Sequence, residues 1–225
     1  QTAHDLANFL TGIRMLIRSL SHVSPDEPAV QQHIVSLQRT ALHASELCHQ
    51  LQNALAGEED DLEWNLCEID LGMAISTMRH LLEAMVPSNA ILKVETAAGL
   101  PPIIANTTQL RQVVLDLVTN GLDALGDEGG MITIRTRVSK CNERPDIGPV
   151  ATADAIDADD SVCLEVADTG CGIANDELQR IFEPTFTTKE NGHGLGLASV
   201  LQIVRGCGGA VTVDSRVGKG TRVCC

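Results

Sequence analysis

The sequence predicts an α+β protein in two parts: a helical hairpin that forms a dimeric four-helix bundle, followed by an α/β sandwich. Three observations predict it. Apolar residues step by four and three through most of residues 1–56. An acidic run, Gly57-Glu58-Glu59-Asp60-Asp61, then breaks the pattern. Beyond it, segments of period 2 and period 3.6 are interspersed, which places helices on one face of a largely antiparallel sheet.

Residues 1–23 read as a helix because Leu6, Leu10, Ile13, Ile17 and Leu20 form one stripe, widened by Phe9 and Leu16. Ser24-Pro25-Asp26-Glu27-Pro28 is a turn whose Pro and acids suit a helix start. The second helix runs to residue 56 on Val30, Ile34, Leu37, Ala41, Ala44, Cys48, Leu51 and Leu55, a sustained heptad. A short turn makes the two helices antiparallel neighbours. Two amphipathic helices bury little alone, so a homodimer completes the bundle; packing on the rest of the same chain is the other arrangement open to them. The hairpin is assigned to 1–57, a linker to 58–65 and the second domain to 66–225.

In the second domain, 66–70 reads as a short strand and 71–86 as a helix stopped before Pro87. Residues 91–96 alternate as a strand, and Ile103-Ile104 make another. Asn106 with Gln109 fits a capping box that opens a helix through Leu125. Strands follow at 131–138 and 161–168, separated by an Ala-, Asp- and Pro-rich loop at 140–160. A Gly-containing loop fills 174–194, a helix runs to Arg205, and 210–215 with 221–225 close as a hairpin around Gly218-Lys219-Gly220. There is no internal repeat.

The 225 residues suffice for one large or two small domains. With 44% apolar and 20% charged residues, the composition is that of a folded protein. Sixteen Lys+Arg against 30 Asp+Glu give a net charge of -14, which repels phosphate backbones and anionic lipid. Nucleic acid and membrane contact are therefore not expected, and no apolar run approaches the roughly 18 residues of a membrane span. The start at Gln1 without Met or a leader reads as a fragment. The eight cysteines are scattered without a CxxC pair, which fits free thiols in a reducing cytoplasmic setting. The seven histidines make no metal-ligand spacing.

Five motifs carry candidate chemistry. In His4-Asp5-x-x-Asn8, the apolar stripe lies about 180° from His4, and Asn8 sits within about 40° of it. The imidazole is thus presented to solvent, and Asp5 can accept its Nδ1–H, leaving Nε2 as the nucleophile. Alone, the pattern also fits an ordinary surface histidine. Asp116 and Asn120 are four apart on one helix and share a face, with Asp123 following. A carboxylate and an amide oxygen suit hydrated Mg²⁺ and a phosphate or water, though a solvated helix face reads the same way.

Asp168-Thr169-Gly170-Cys171-Gly172-Ile173 follows a strand. Its glycines allow a tight turn and close approach of a flat ligand, and Asp168 can accept from an exocyclic amine. Gly192-His193-Gly194-Leu195-Gly196-Leu197 opens a helix and offers backbone N–H groups to an anion. This resolves the charge problem, since an acidic chain can hold polyphosphate through backbone dipoles and a cation. Neither a dinucleotide fold nor a Walker A loop fits, because the ribose-binding acid and the GK[ST] are missing. The segment 181–189 holds two of the three Phe, Phe182 and Phe186, as anchors of a lid whose Lys189 can reach phosphate.

Taken in order, these segments resemble the catalytic core of a bacterial sensor histidine kinase. HDLAN resembles the H-box, LRQVVLDLVTNGLDAL the N-box, DTGCGI, GHGLGL and GKGT the glycine boxes, and IFEPTFTTK the F-box. The resemblance covers essentially the whole chain and is nearest to the nitrogen-regulator and cell-cycle hybrid subgroups. It implies a dimerisation and phosphotransfer hairpin followed by a Bergerat-type ATP-binding domain. It further implies His4 as phosphoacceptor, Asp5 assisting proton removal, and Asn8 orienting water for dephosphorylation of a response regulator receiver domain. Asn120 matches the Mg²⁺ ligand and Asp168 the adenine-reading acid. Ile173, Phe182, Thr221 and the glycines Gly170, Gly172, Gly192, Gly194 and Gly196 fall in the nucleotide-binding boxes. Asp123, His193, Leu195 and Leu197 fall there too, and Lys189 belongs to the phosphate-covering lid.

Two positions depart from the pattern. Asp116 stands where the family has Asn, which opens a nucleotide-hydrolase reading. Gly121 replaces Ala, which should loosen its helix by up to about 1 kcal/mol. Both ends of the chain read as truncated. A docking module that binds nucleotide weakly is the remaining alternative, against which the intact glycine boxes argue.

Overall fold

The computed structural model describes residues 66–140, 150–153, 160–187, 194 and 196–225. All lie in one compact unit, Asn65–Cys225. The helices expected in residues 1–56 and the linker expected at 58–65 lie outside the described residues.

Strand β1 (Cys67–Ile69) leads into α1 (Leu71–Met85). The Asp70 side chain accepts from the Met73 N–H at 2.9 Å and starts the helix. Leu71, Ile75, Met78 and Leu82 form its buried stripe, and Pro87 follows its end. After β2 (Ala90–Thr96) and β3 (Ile103–Ala105), Asn106 caps α2 (Thr107–Leu125). Its Oδ1 accepts from the N–H groups of Thr108 and Gln109, at 2.9 and 3.1 Å. Only this half of the expected capping box forms, since the Gln109 Oε1 is buried without a hydrogen-bond partner.

Six strands make the main sheet, in the order β2-β4-β6-β8-β7-β5. They add β4 (Gly130–Lys140), β5 (Val150–Ala153), β6 (Asp160–Asp168), β7 (Val211–Arg216) and β8 (Gly220–Cys224) to β2. The β2–β4 pair is parallel and every other pair is antiparallel. β1 and β3 form a separate two-stranded sheet. The stretch read as a loop at 140–160 thus contains β5, paired with β7 at the sheet edge. Four residues are too few for alternation to declare themselves, and what places them is pairing with a strand about 60 residues on.

On one face of the sheet Ile132, Ile134, Leu164, Val166, Val211, Val213 and Val223 are buried. Against this side pack α1, α2 and α3 (Gly196–Gly206): α1 on β2, α2 on β4, β6 and β8, and α3 on β7 and α2. The other face is polar. Glu165, only 3% exposed, accepts from Arg135 Nη1 at 2.9 Å, with Arg137 and Arg222 beside it. Arg135 Nε also meets Glu95 at 2.7 Å, and Lys93 and Arg135 hold the Glu95 carboxyl below its ordinary range. Among the described residues no helix is long and apolar enough to cross a membrane.

The asymmetric cap has a measurable signature. Asn106→Ala should lower stability by about 1 kcal/mol, because two helix N–H groups lose their acceptor. Gln109→Met should be neutral or stabilising, because it removes a buried oxygen that makes no bond. Urea unfolding of both variants against the unsubstituted chain checks the pair.

Candidate functional site

Three pieces of chain converge near one stretch of α2: two meet it between Asn120 and Ala124, and the third is bonded to the second. The first is the N-terminus of α3. A Cβ built on Gly196 would lie 3.3 Å from Asn120 Nδ2, so the bare glycine lets the amide sit against the helix start. The unbonded N–H groups there carry partial positive charge. Asp116, one turn earlier on α2, is half-buried, and its Oδ1 accepts from Gln112 Nε2 at 2.8 Å. Asp123 is exposed.

The second piece is the turn after β6. Asp168 ends that strand, and its Oδ1 accepts from the Gly170 N–H at 2.8 Å. The Asp168 Cβ lies 3.4 Å from where a Cβ on Gly121 would stand. The departure from Ala at Gly121 therefore sits where α2 receives the strand end, and Ile132 would also crowd a methyl there. Gly170 rests on the Ala124 carbonyl, to which Cys171 N–H donates at 3.0 Å. Gly172 has φ +70° and faces the Arg216 carbonyl, so an L side chain there would meet both backbone strain and a clash.

The third piece is the β7–β8 hairpin. Thr221 N–H also donates to Asp168 Oδ1, at 3.3 Å. Gly218 N–H donates to the Cys171 carbonyl at 2.8 Å. Ser215, 2% exposed, accepts from the Ile173 N–H at 2.8 Å, and its Oγ lies 3.0 Å from the Gly220 carbonyl and 2.9 Å from Thr221 Oγ1. No sequence motif had singled out Ser215; its small polar side chain at an inward strand position was the available signal.

Beyond the turn, Leu178 and Ile181 are buried and Phe182 and Phe186 pack against the core, with Arg180 over the Phe186 ring at 4.3 Å. Phe182 and Phe186, expected as anchors of a lid, are thus packed against the core. Thr185 N–H donates to the Gly194 carbonyl at 3.0 Å, joining the two sides of the segment. Thr185 has φ 71°, a costly conformation for a β-branched residue. Ile173 and Leu197 also pack against the core. His4, Asp5, Asn8, Lys189, Gly192, His193 and Leu195 lie outside the described residues.

The chain matches the model of the histidine kinase-, DNA gyrase B- and HSP90-like ATPase family over residues 105–225. It belongs to this ATPase family. The sensor kinase CckA of Brucella abortus is 37% identical over 97% of the chain, and the chain spans 22% of that relative's length. The sensory histidine kinase/phosphatase NtrB of Rhizobium meliloti is 30% identical over 97% of the chain, which spans 55% of it. The solved structure of full-length ShkA in complex with AMPPNP has a TM-score of 0.63 over 100% of the chain and 44% of its own, at 24% identity. That likeness is one of fold. The matched span of the ATPase family contains all three pieces of the site.

The donors at this site fit a hydrated divalent cation carried on phosphates. Gly196 leaves open the space a side chain would take beside the Asn120 amide. Among the described residues no group of three His, Cys, Asp or Glu could cage a metal. One amide oxygen suits a cation that keeps most of its ligands as water and phosphate, and the adjacent helix N-terminus suits the phosphate.

The thiols differ sharply in environment. Cys67 and Cys171 are exposed. A hydrogen bond with Cys224, then burial, pushes the Cys163 thiol up, and burial pushes Cys225 up to about 12. Iodoacetamide at about pH 8 should therefore modify Cys67 and Cys171 well before Cys163, which should react only on unfolding. Peptide mapping over time checks the order.

Proposed function

We propose that this chain is the ATP-dependent core of a two-component sensor histidine kinase, which phosphorylates its own His4 and passes the phosphoryl group to an Asp of a response regulator receiver domain. The observation that carries the reading is the convergence on α2: the Asn120 amide faces the glycine start of α3, while Asp168 is seated against the next residue, Gly121. Family membership and the sensor-kinase relatives support it.

In this reading Asp168 accepts from the adenine amino group, and the Asp168–Ile173 turn lets the base approach bare backbone. The N-terminus of α3 and Lys189 take the phosphate oxygens, and Asn120 holds Mg²⁺. The bound cation supplies charge neutralisation across the phosphates. Asp5 accepts the Nδ1–H of His4, so Nε2 keeps its lone pair for in-line attack on the γ-phosphorus. A nitrogen–phosphorus bond forms as the bond to the bridging oxygen breaks, leaving ADP. The helical hairpin supplies the homodimer and the regulator-docking face, and Asn8 orients a water for regulator dephosphorylation. The setting is cytoplasmic, where ATP and thiols coexist.

A second reading keeps the same site for nucleotide hydrolysis, with Asp116 as base. It is favoured by the position of Asp116 one turn from Asn120 on the same helix.

Incubation with γ-labelled ATP and Mg²⁺ separates the readings. The unsubstituted chain should acquire acid-labile label that His4→Ala abolishes and Asn120→Ala reduces by about a hundredfold or more. Phosphate release that survives His4→Ala and is lost in Asp116→Ala would replace the kinase with the hydrolase. Absence of nucleotide binding would leave only a docking module.

A further inference from the structure

We propose that Ser215 is a positioning residue for the nucleotide base, through a hydroxyl that couples the Asp168–Ile173 turn to Thr221. The inference rests on the nucleotide-binding reading above and adds to it a residue that touches no ligand.

The argument is one of hydrogen-bond capacity. A serine hydroxyl has one proton and two lone pairs. The Gly220 carbonyl, 3.0 Å away, only accepts, so it takes the Ser215 proton. The Ile173 N–H, at 2.8 Å, only donates, so it occupies one lone pair. The 2.9 Å contact to Thr221 Oγ1 then forms as a hydrogen bond only if Thr221 donates into the second lone pair. The hydroxyl is thereby used completely, in a side chain that is 2% exposed. Two consequences follow. The turn that begins at Asp168 is fixed at its far end, Ile173, by the same atom that fixes the start of β8. The Thr221 proton is also directed inward, so that hydroxyl meets a ligand with its lone pairs. Asp168 and Thr221 then both act as acceptors, held to each other by the Thr221 N–H on Asp168 Oδ1. Two acceptors select a base edge bearing an amino group over one bearing a carbonyl.

The carbonyl and the amide at Ser215 are not matched by any other side chain of the hairpin among the described hydrogen bonds. An alanine fills the space without supplying a donor or acceptor, whereas threonine restores the hydroxyl on a strand that favours it.

The test is titration of Mg²⁺·ATP and Mg²⁺·GTP into the full chain by calorimetry, with thermal melting of each variant. Ser215→Ala should still melt cooperatively, should weaken ATP binding by about fivefold or more and should narrow the preference for ATP over GTP. Ser215→Thr should return both close to the unsubstituted values. Less than about fivefold weakening in Ser215→Ala, or failure of threonine to restore binding, overturns the proposal. If Ser215→Ala does not melt cooperatively, Ser215→Cys replaces it, with its weak S–H donor and the same threshold. An unsubstituted chain that binds neither nucleotide sinks the nucleotide site itself. Binding of ATP with no effect at Ser215 sinks the positioning role alone.

Discussion

At the end of β6 the Asp168 carboxylate draws together its own turn, through Gly170, and the closing strand, through Thr221, while its Cβ packs against α2 at Gly121. Hydrogen bonds to a charged acceptor contribute about 1.5–3 kcal/mol each when they are well formed. The larger effect is geometric. Asp168 can reach both N–H groups only if strand, helix and hairpin approach without side chains between them. That requirement accounts for the glycines at 121, 170 and 220, which lie within contact of one another's neighbours. The candidate site lies where backbone must come this close.

The opposite face of the sheet helps hold β6 in place. Glu165 lies three residues before Asp168, buried among Arg135, Arg137 and Arg222. A carboxylate at that depth is stable only while its cations stay near it, so β4 and β8 are tied to β6 by charge as well as by their ladders. The strand that presents Asp168 is therefore central in the sheet and braced from both sides. A residue proposed to read a ligand edge needs such a rigid mount.

Much of the domain was legible in the residue pattern. The stripe Leu71, Ile75, Met78, Leu82 has helical spacing, and Ile132, Ile134 and Thr136 alternate on an inward face as a strand requires. The placement of Asp168 at a strand end and of Asn120 on a helix was legible because such positions leave characteristic residues in order. Other features were hidden because they depend on partners distant in sequence. Val150–Ala153 becomes a strand only through β7, and nothing in the pattern of β2 reveals that it runs parallel to β4. Gly121 read as a loosened helix because its local cost is visible and the incoming strand is not. Ser215 looked like any polar residue in a hairpin, since its meaning lies in three groups at residues 173, 220 and 221.

The bond from Thr185 N–H to the Gly194 carbonyl gives the segment between them a fixed doorway. Chain that leaves and re-enters through one clasp can change its length with little effect on what lies outside, since doubling a closed loop costs only about 0.6 kcal/mol. The start of α3, and with it the amide of Asn120, is thus insulated from insertions or deletions in this stretch. Length can vary in this stretch while the Asn120 amide keeps its place beside Gly196.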